Sequence, residues 1–144
     1  MNDRAYQVRR AEMPADLPAI RSIRDLVFVQ EQQVPRELEW DDADAGCIHV
    51  LAEDNNGHPV GTGRLAPDGK IGRVAVLPTW RRKGIGTAIL AELVNEALAC
   101  GLAECRLHAQ ASALDFYIRQ GFVAEGPLFE EAGITHRLMR LQPR

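Results

Sequence analysis

No stretch of this sequence approaches the ~20 apolar residues that a bilayer-spanning helix requires, so a helical membrane span is excluded. The N-terminal segment also lacks the apolar run of a secretory signal, because Asp3, Arg4, Arg9, Arg10, Glu12 and Asp16 interrupt it. Cysteine is scarce and odd in number; Cys47, Cys100 and Cys105 are poorly suited to a disulfide framework. The expected setting is therefore reducing and cytoplasmic. Charge of one sign is not in excess, and a net charge of −3 gives no field for bulk nucleic-acid binding. Metal-ligand spacing is missing too: Cys47-x-His49 and the Cys100, Cys105, His108 set do not match structural zinc patterns. With no internal repeat, linker or low-complexity tract, the 144 residues read as one domain.

What is present centres on the run Val74-Ala75-Val76-Leu77-Pro78-Thr79-Trp80-Arg81-Arg82-Lys83-Gly84-Ile85-Gly86-Thr87. A β-branched segment stops at a proline, three cations follow, then two glycines, then a helix-forming stretch to Cys100. The spacing predicts a strand, a loop and the opening of a helix. Glycine lets main chain approach a ligand closely, and the first helical N–H groups have no internal partner. With the helix dipole behind them they suit an anion, so this loop is expected to cradle a diphosphate. A nucleoside-triphosphate loop has no match in the chain. A dinucleotide fingerprint fails because Ile89 stands where its third glycine belongs.

The order Arg81-x-x-Gly84-x-Gly86 directly after Val-Ala-Val-x-Pro closely resembles the acyl-CoA loop of the GNAT superfamily of N-acetyltransferases. A second segment strengthens the likeness: Leu107 to Ala113, then Phe116-Tyr117-Ile118-Arg119-Gln120-Gly121-Phe122. Together they cover about Ile71 to Phe122. The pieces Val27 to Gln32, Glu39-Trp40-Asp41, Ala109-Gln110 and His136 further resemble an ElaA-like subgroup. The resemblance implies acetyl-CoA as co-substrate, with main-chain contacts from Val74, Ala75 and Val76 to its pantetheine arm. It implies diphosphate contacts from Arg81, Arg82, Lys83, Gly84, Ile85, Gly86 and Thr87. Gln110 stands where many members carry Asn, and its amide is expected to reach the same arm. Tyr117 is implied beside the cofactor sulfur. A thiol titrates near ~8.5 and a phenol near ~10, so full proton donation by an ordinary Tyr is uphill by roughly 2 kcal/mol. Hydrogen bonding to the thiolate and complete transfer both stay open here.

The acceptor is expected to be a primary amine of a small molecule or peptide, attacking directly. Neutralising an amine of pKa ~10.4 at pH 7 costs about 4.6 kcal/mol. Candidate bases or water-positioning groups at the acceptor side are Glu31, His49, His108 and His136. From Glu37 to Asp54 seven acids occur without Lys or Arg, which reads either as a solvated loop or as a surface for a cationic amine. A non-catalytic acyl-CoA sensor or interaction module is the alternative, and the sequence leaves room for a homodimer.

The expected elements run as follows. Tyr6 to Arg10 is a strand, and a helix opens at Pro14 and continues to about Gln33. A polar connection follows from Pro35 to Gly46. Strands are expected at Cys47 to Glu53, Pro59 to Leu65 and Lys70 to Leu77, joined by Asn-Gly and Asp-Gly turns. After the helix from Thr87 come a strand at Glu104 to His108 and a helix at Ser112 to Gln120, with Ser112 as N-cap. Strands at Phe122 to Ala124 and Ile134 to Leu141 close the chain. The order predicts a single α+β domain, a mixed and mainly antiparallel central sheet flanked by helices, in agreement with the acetyltransferase fold.

Overall fold

The computed structural model describes residues 5–142, so Asp3 and Arg4 lie outside the described residues. Seven strands form one sheet: β1 Tyr6–Arg10, β2 Ile48–Asp54, β3 Pro59–Leu65, β4 Lys70–Val76, β5 Cys105–Gln110, β6 Val123–Glu131 and β7 Ile134–Leu141. Their spatial order is β1-β2-β3-β4-β5-β7-β6. Every neighbouring pair is antiparallel except β4 with β5. That parallel pair needs a crossover, and α3, Ile85–Ala99, supplies it. The other helices are α1 Leu17–Arg24, α2 Arg36–Glu39 and α4 Leu114–Arg119.

The sheet is covered on both faces. Successive residues of a strand point to opposite sides, and β2 shows it: Val50 and Ala52 join one apolar core, while Leu51 joins the other. The larger core lies beneath α3, where Ile85, Ile89, Leu90, Leu93 and Ala97 are buried. This helix comes so close that a Cβ at Gly61 would stand 2.8 Å from Ile89 Cδ1. The smaller core holds Ile20, Ile23, Val27 and Phe28 from the N-terminal helical segment, against Leu51 and Ala75.

Four elements differ from expectation. The first helix does not continue as one α-helix to Gln33; after Arg24 it widens into a π-helical stretch, Asp25–Glu31, and Gln32 N–H reaches back five residues to Val27 O at 3.0 Å. The connection from Pro35 to Gly46 is not irregular, for it holds α2 and a 3₁₀ turn at Asp42–Gly46. Ser112 does not cap a helix; a 3₁₀ turn at Ala111–Ala113 precedes α4, whose N-cap position is Ala113. Strand β6 also runs well beyond Ala124, with a register shift between Glu125 and Phe129 where Gly126-Pro127 interrupts the ladder. Proline is tolerated there because β6 is an edge strand.

Candidate active site

The site begins as a fault in the sheet. β4 and β5 share rungs only at Lys70↔Arg106 and Ile71↔Leu107; beyond them the two strands part. On its other side β4 carries a bulge, since Arg64 pairs with Gly72 but Thr62 pairs with Ala75. Arg73 and Val74 thus oppose the single residue Gly63, and Arg73 takes φ +52°, a left-handed value strained for a non-glycine residue. Leu77 N–H donates to Val60 O at 2.9 Å. Alternation then turns the Ala75 main chain toward β3 as well and leaves Val74 and Val76 facing the open fork. Ala75 is therefore a correction to the expected contact set: its amide and carbonyl are spent on the sheet, and its side chain is in the smaller core.

The fork opens into a cleft of about 660 Å³, lined among others by Phe28, Gln32, Val74, His108, Gln110 and Tyr117. Past Val76, beyond the residues that line this cleft, stands the N-terminus of α3. Gly84 is the N-cap at φ +85°, a left-handed conformation open to glycine, and no side chain caps the helix. The intrahelical ladder starts with Ala88 N–H to Gly84 O at 3.0 Å, so the main-chain donors of Ile85, Gly86 and Thr87 precede it. Gly86 lies on the Phe116 ring, where a Cβ would be 3.5 Å away, and the Ile85 side chain is buried in the core. Thr87 Oγ1 accepts a long bond of 3.5 Å from Gln120. A fifteen-residue helix with bare N–H groups fits a diphosphate.

The three cations are not equivalent. Arg82, at φ +64°, and Lys83 are exposed beside the loop, Lys83 lying 5.9 Å from the Trp80 ring. Arg81 is engaged elsewhere. Its Nε donates to Val76 O at 2.9 Å, and its two terminal nitrogens grip Glu31 at 2.7 and 2.6 Å. This pair holds Arg81 on Glu31 rather than free toward a diphosphate, and occupies the carboxylate expected as a base. Hydrogen bonding to Arg81 holds the Glu31 carboxyl below its ordinary range, the wrong direction for a group that must take a proton at neutral pH.

Tyr117 lies on α4 between Phe116 and Phe122, with ring centroids 5.0 and 5.9 Å away. Burial pushes its phenol up to about 12. Gln110 donates from Nε2 to Gln32 Oε1 at 2.8 Å, which ties β5 to the end of the π-helical stretch across the cleft. Gln32 was not singled out from the sequence; nothing in local spacing connects residues 78 positions apart. His49 is a further correction. It is 2 % exposed, with Nε2 2.9 Å from Asp44 O, and is absent from the cleft lining. His108 and His136 do line the cleft, together with Glu131.

The acidic segment is neither a solvated loop nor a receptor for cations. Arg24, 1 % exposed, donates to Glu39 Oε1 and O and to Asp44 Oδ1, each at 2.7 Å. Arg64 bonds Asp44 at 2.7 Å and Asp41 at 2.9 Å, and Arg73 donates to Glu39 O at 3.1 Å. Trp40 covers Arg24, whose guanidinium carbon is 3.9 Å from a Trp40 ring centroid. Three arginines from α1, β3 and the bulge thus neutralise Glu39, Asp41 and Asp44, and fix α2 to the floor of the cleft. Among the described residues no group of His, Cys, Asp and Glu is placed to hold a metal, and no helix is long and apolar enough to cross a membrane.

A sheet forked beside an uncapped helix N-terminus defines the fold of the acyltransferases that the sequence resembles. Comparison with known proteins narrows this further. Residues 24–143 match the family described as Acetyltransferase (GNAT) domain, and the chain belongs to that family. Protein YyaT of Bacillus subtilis is 36 % identical, over 92 % of this chain and 93 % of its own. Among solved structures, an acyl-CoA N-acyltransferase from Pseudomonas aeruginosa has TM-score 0.80 at 29 % identity, covering 94 % of this chain and 97 % of that one. ElaA of Escherichia coli has the same TM-score at 25 % identity, with 94 % and 97 % covered.

Proposed function

We propose that this chain transfers an acetyl group from acetyl-CoA to a primary amine of a small molecule or peptide by direct attack. The observation that carries the reading is the fork with a helix beside it: Val74, Gln110 and Tyr117 line the cleft, and the bare amides of α3 lie past Val76, where a Cβ at Gly86 would be 4.0 Å from the Val76 side chain. Ile85, Gly86 and Thr87 N–H groups, with Arg82 and Lys83 beside them, would hold the diphosphate. The Val74 main chain and the Val76 N–H would pair with the amides of the pantetheine arm, as an added strand does, the Val76 carbonyl already accepting from Arg81, and Gln110 would reach it from β5. Acetyl-CoA supplies an acyl group already activated as a thioester.

Tyr117 stays protonated at neutral pH, so its hydroxyl donates a hydrogen bond to the departing sulfur. Complete proton transfer from a phenol at about 12 to a thiolate of ~8.5 is uphill by about 5 kcal/mol. Of the two roles open from sequence, this environment favours the hydrogen bond.

The test is thiol release from acetyl-CoA against a panel of alkylamines and amino-terminal peptides, paired with calorimetry of acetyl-CoA alone. Turnover on at least one amine is the expected result. Binding without turnover on any of them would instead support a sensor.

A further inference from the structure

Two imidazoles, both among the candidate bases, and one carboxylate meet where the fork closes. His108 is the first β5 residue past Ile71↔Leu107, the last rung shared with β4. It therefore stands where the strands begin to part, and it lines the cleft with Tyr117. The edge hairpin brings the other two. Glu131 Oε1 lies 3.0 Å from His108 Nδ1, and Glu131 Oε2 lies 3.9 Å from His136 Nε2. Phe129 packs on both rings, edge-on to His108 at 5.0 Å and stacked on His136 at 5.9 Å.

Hydrogen-bond chemistry fixes the protons. Burial pushes the Glu131 carboxyl up, but His108, Lys70 and His136 outweigh it and hold the group below its ordinary value. An ionised carboxylate only accepts, so His108 Nδ1 carries a hydrogen, and in the neutral ring Nε2 is the lone pair. The Ile134 carbonyl, 2.7 Å from His136 Nδ1, likewise puts a hydrogen on Nδ1 of the second ring. Lys70 and Asp68 border this end of the cleft, and Arg106 neutralises Asp68 at 2.6 Å. Arg64, Arg73, Glu39 and Asp41 line the opposite end and are paired among themselves. An imidazole that lines a cleft and is oriented through Nδ1 by a carboxylate is the arrangement a general base requires.

We infer that His108 Nε2 takes the proton from the acceptor's ammonium group, with Glu131 as the positioning residue that fixes its tautomer and stabilises the imidazolium. This rests on the acetyl-transfer reading above. The step balances. One proton passes from R–NH3+ to Nε2, and the freed lone pair attacks the thioester carbonyl. The C–N bond forms as the C–S bond breaks, and the sulfur keeps the electron pair. The proton shed by the new amide nitrogen goes to that thiolate, and the imidazolium releases its own to solvent.

The assignment selects acceptors that arrive charged, which gives a test with two independent readouts. Long-range 1H–15N spectra of the full wild-type chain, taken above the imidazole titration, should show His108 protonated at Nδ1 and bare at Nε2; E131Q should shift that tautomer. With benzylamine as acceptor, H108Q should lower kcat/KM by roughly 10²–10⁴-fold and remove the imidazole limb of the pH profile. With aniline, neutral at pH 7, the same variant should lose less than about tenfold, a factor below that ascribed to general-base catalysis. Acetyl-CoA affinity by calorimetry should be unchanged in both variants. A wild-type spectrum with hydrogen on Nε2 overturns the assignment, as does an equal loss on the two amines or no loss on either. Wild-type binding of acetyl-CoA without turnover of benzylamine or any panel alkylamine overturns it as well. A chain that binds no acetyl-CoA fails at the underlying reading, and calorimetry tells the two failures apart.

Discussion

Arg24 is the largest fully buried side chain among the described residues, and its surroundings show how single residues carry this fold. Its guanidinium makes bonds of 2.7 Å to Glu39 and Asp44 beneath the Trp40 ring. Removing one partner from such a buried set strands the others, so Arg24→Ala should destabilise by about 3–5 kcal/mol; the shift of a urea midpoint measures it. Tyr117→Phe bears on chemistry instead. It deletes one hydrogen-bond donor from the thiolate's expected position, so kcat should fall on the order of 10²–10³-fold, with acetyl-CoA affinity unchanged. A parallel loss of affinity would make the hydroxyl a binding group. Residues of this kind were unevenly legible. Tyr117 could be picked out because a local pattern, Phe-Tyr before Gly-Phe, surrounds it. Glu131 could not, for its partner His108 is 23 positions away and only the β5-β7-β6 pairing joins them.

At the scale of elements, the strap between Glu31 and Arg81 joins the end of the π-helical stretch to the loop that precedes α3. Both side chains are more than a third exposed, so the pair adds at most about 1 kcal/mol to stability. Its effect falls on binding. Glu31→Gln should leave thermal stability nearly unchanged and tighten acetyl-CoA binding several-fold, because the released guanidinium gains the phosphates as partners. A weaker complex would mean that the pair holds the loop in shape. Strand β3 and the terminal strand β7 could be read to the residue, since alternation and glycine turns are local signals. The fork itself was invisible: a bulge at Arg73 and the parting of β4 from β5 after Leu107 depend on strands far apart in sequence. The acidic stretch misled for the same reason. Its neutralising arginines come from α1, β3 and β4 rather than from neighbours in the chain.

For the whole molecule, acid sensitivity follows from the carboxylates that the arginines hold. Asp16, bonded by Arg9, and Asp41, bonded by Arg64, both titrate below the ordinary aspartate value of 3.8. For Asp44, burial pushes upward, but Arg24 and Arg64 prevail and the net shift is also downward. A folded value below the unfolded one adds stability that is complete above the unfolded value and is lost as pH falls through the folded one. Stability should therefore hold from neutrality to about pH 5 and drop below 3.8. Glu39, raised by burial, acts in the opposite sense and blunts the upper part of that fall. Denaturant unfolding between pH 2 and 7 checks the profile; a fall that began near pH 6 would implicate histidines instead. The central claim concerns where the coenzyme sits, and the most direct test is calorimetric titration of acetyl-CoA into the wild type and Gly84→Val. At φ +85° a branched side chain strains the turn and places its Cβ 3.3 Å from the Tyr6 hydroxyl. The account predicts clear wild-type binding that the variant loses while keeping its thermal transition. Equal affinity in the two folded proteins would contradict it.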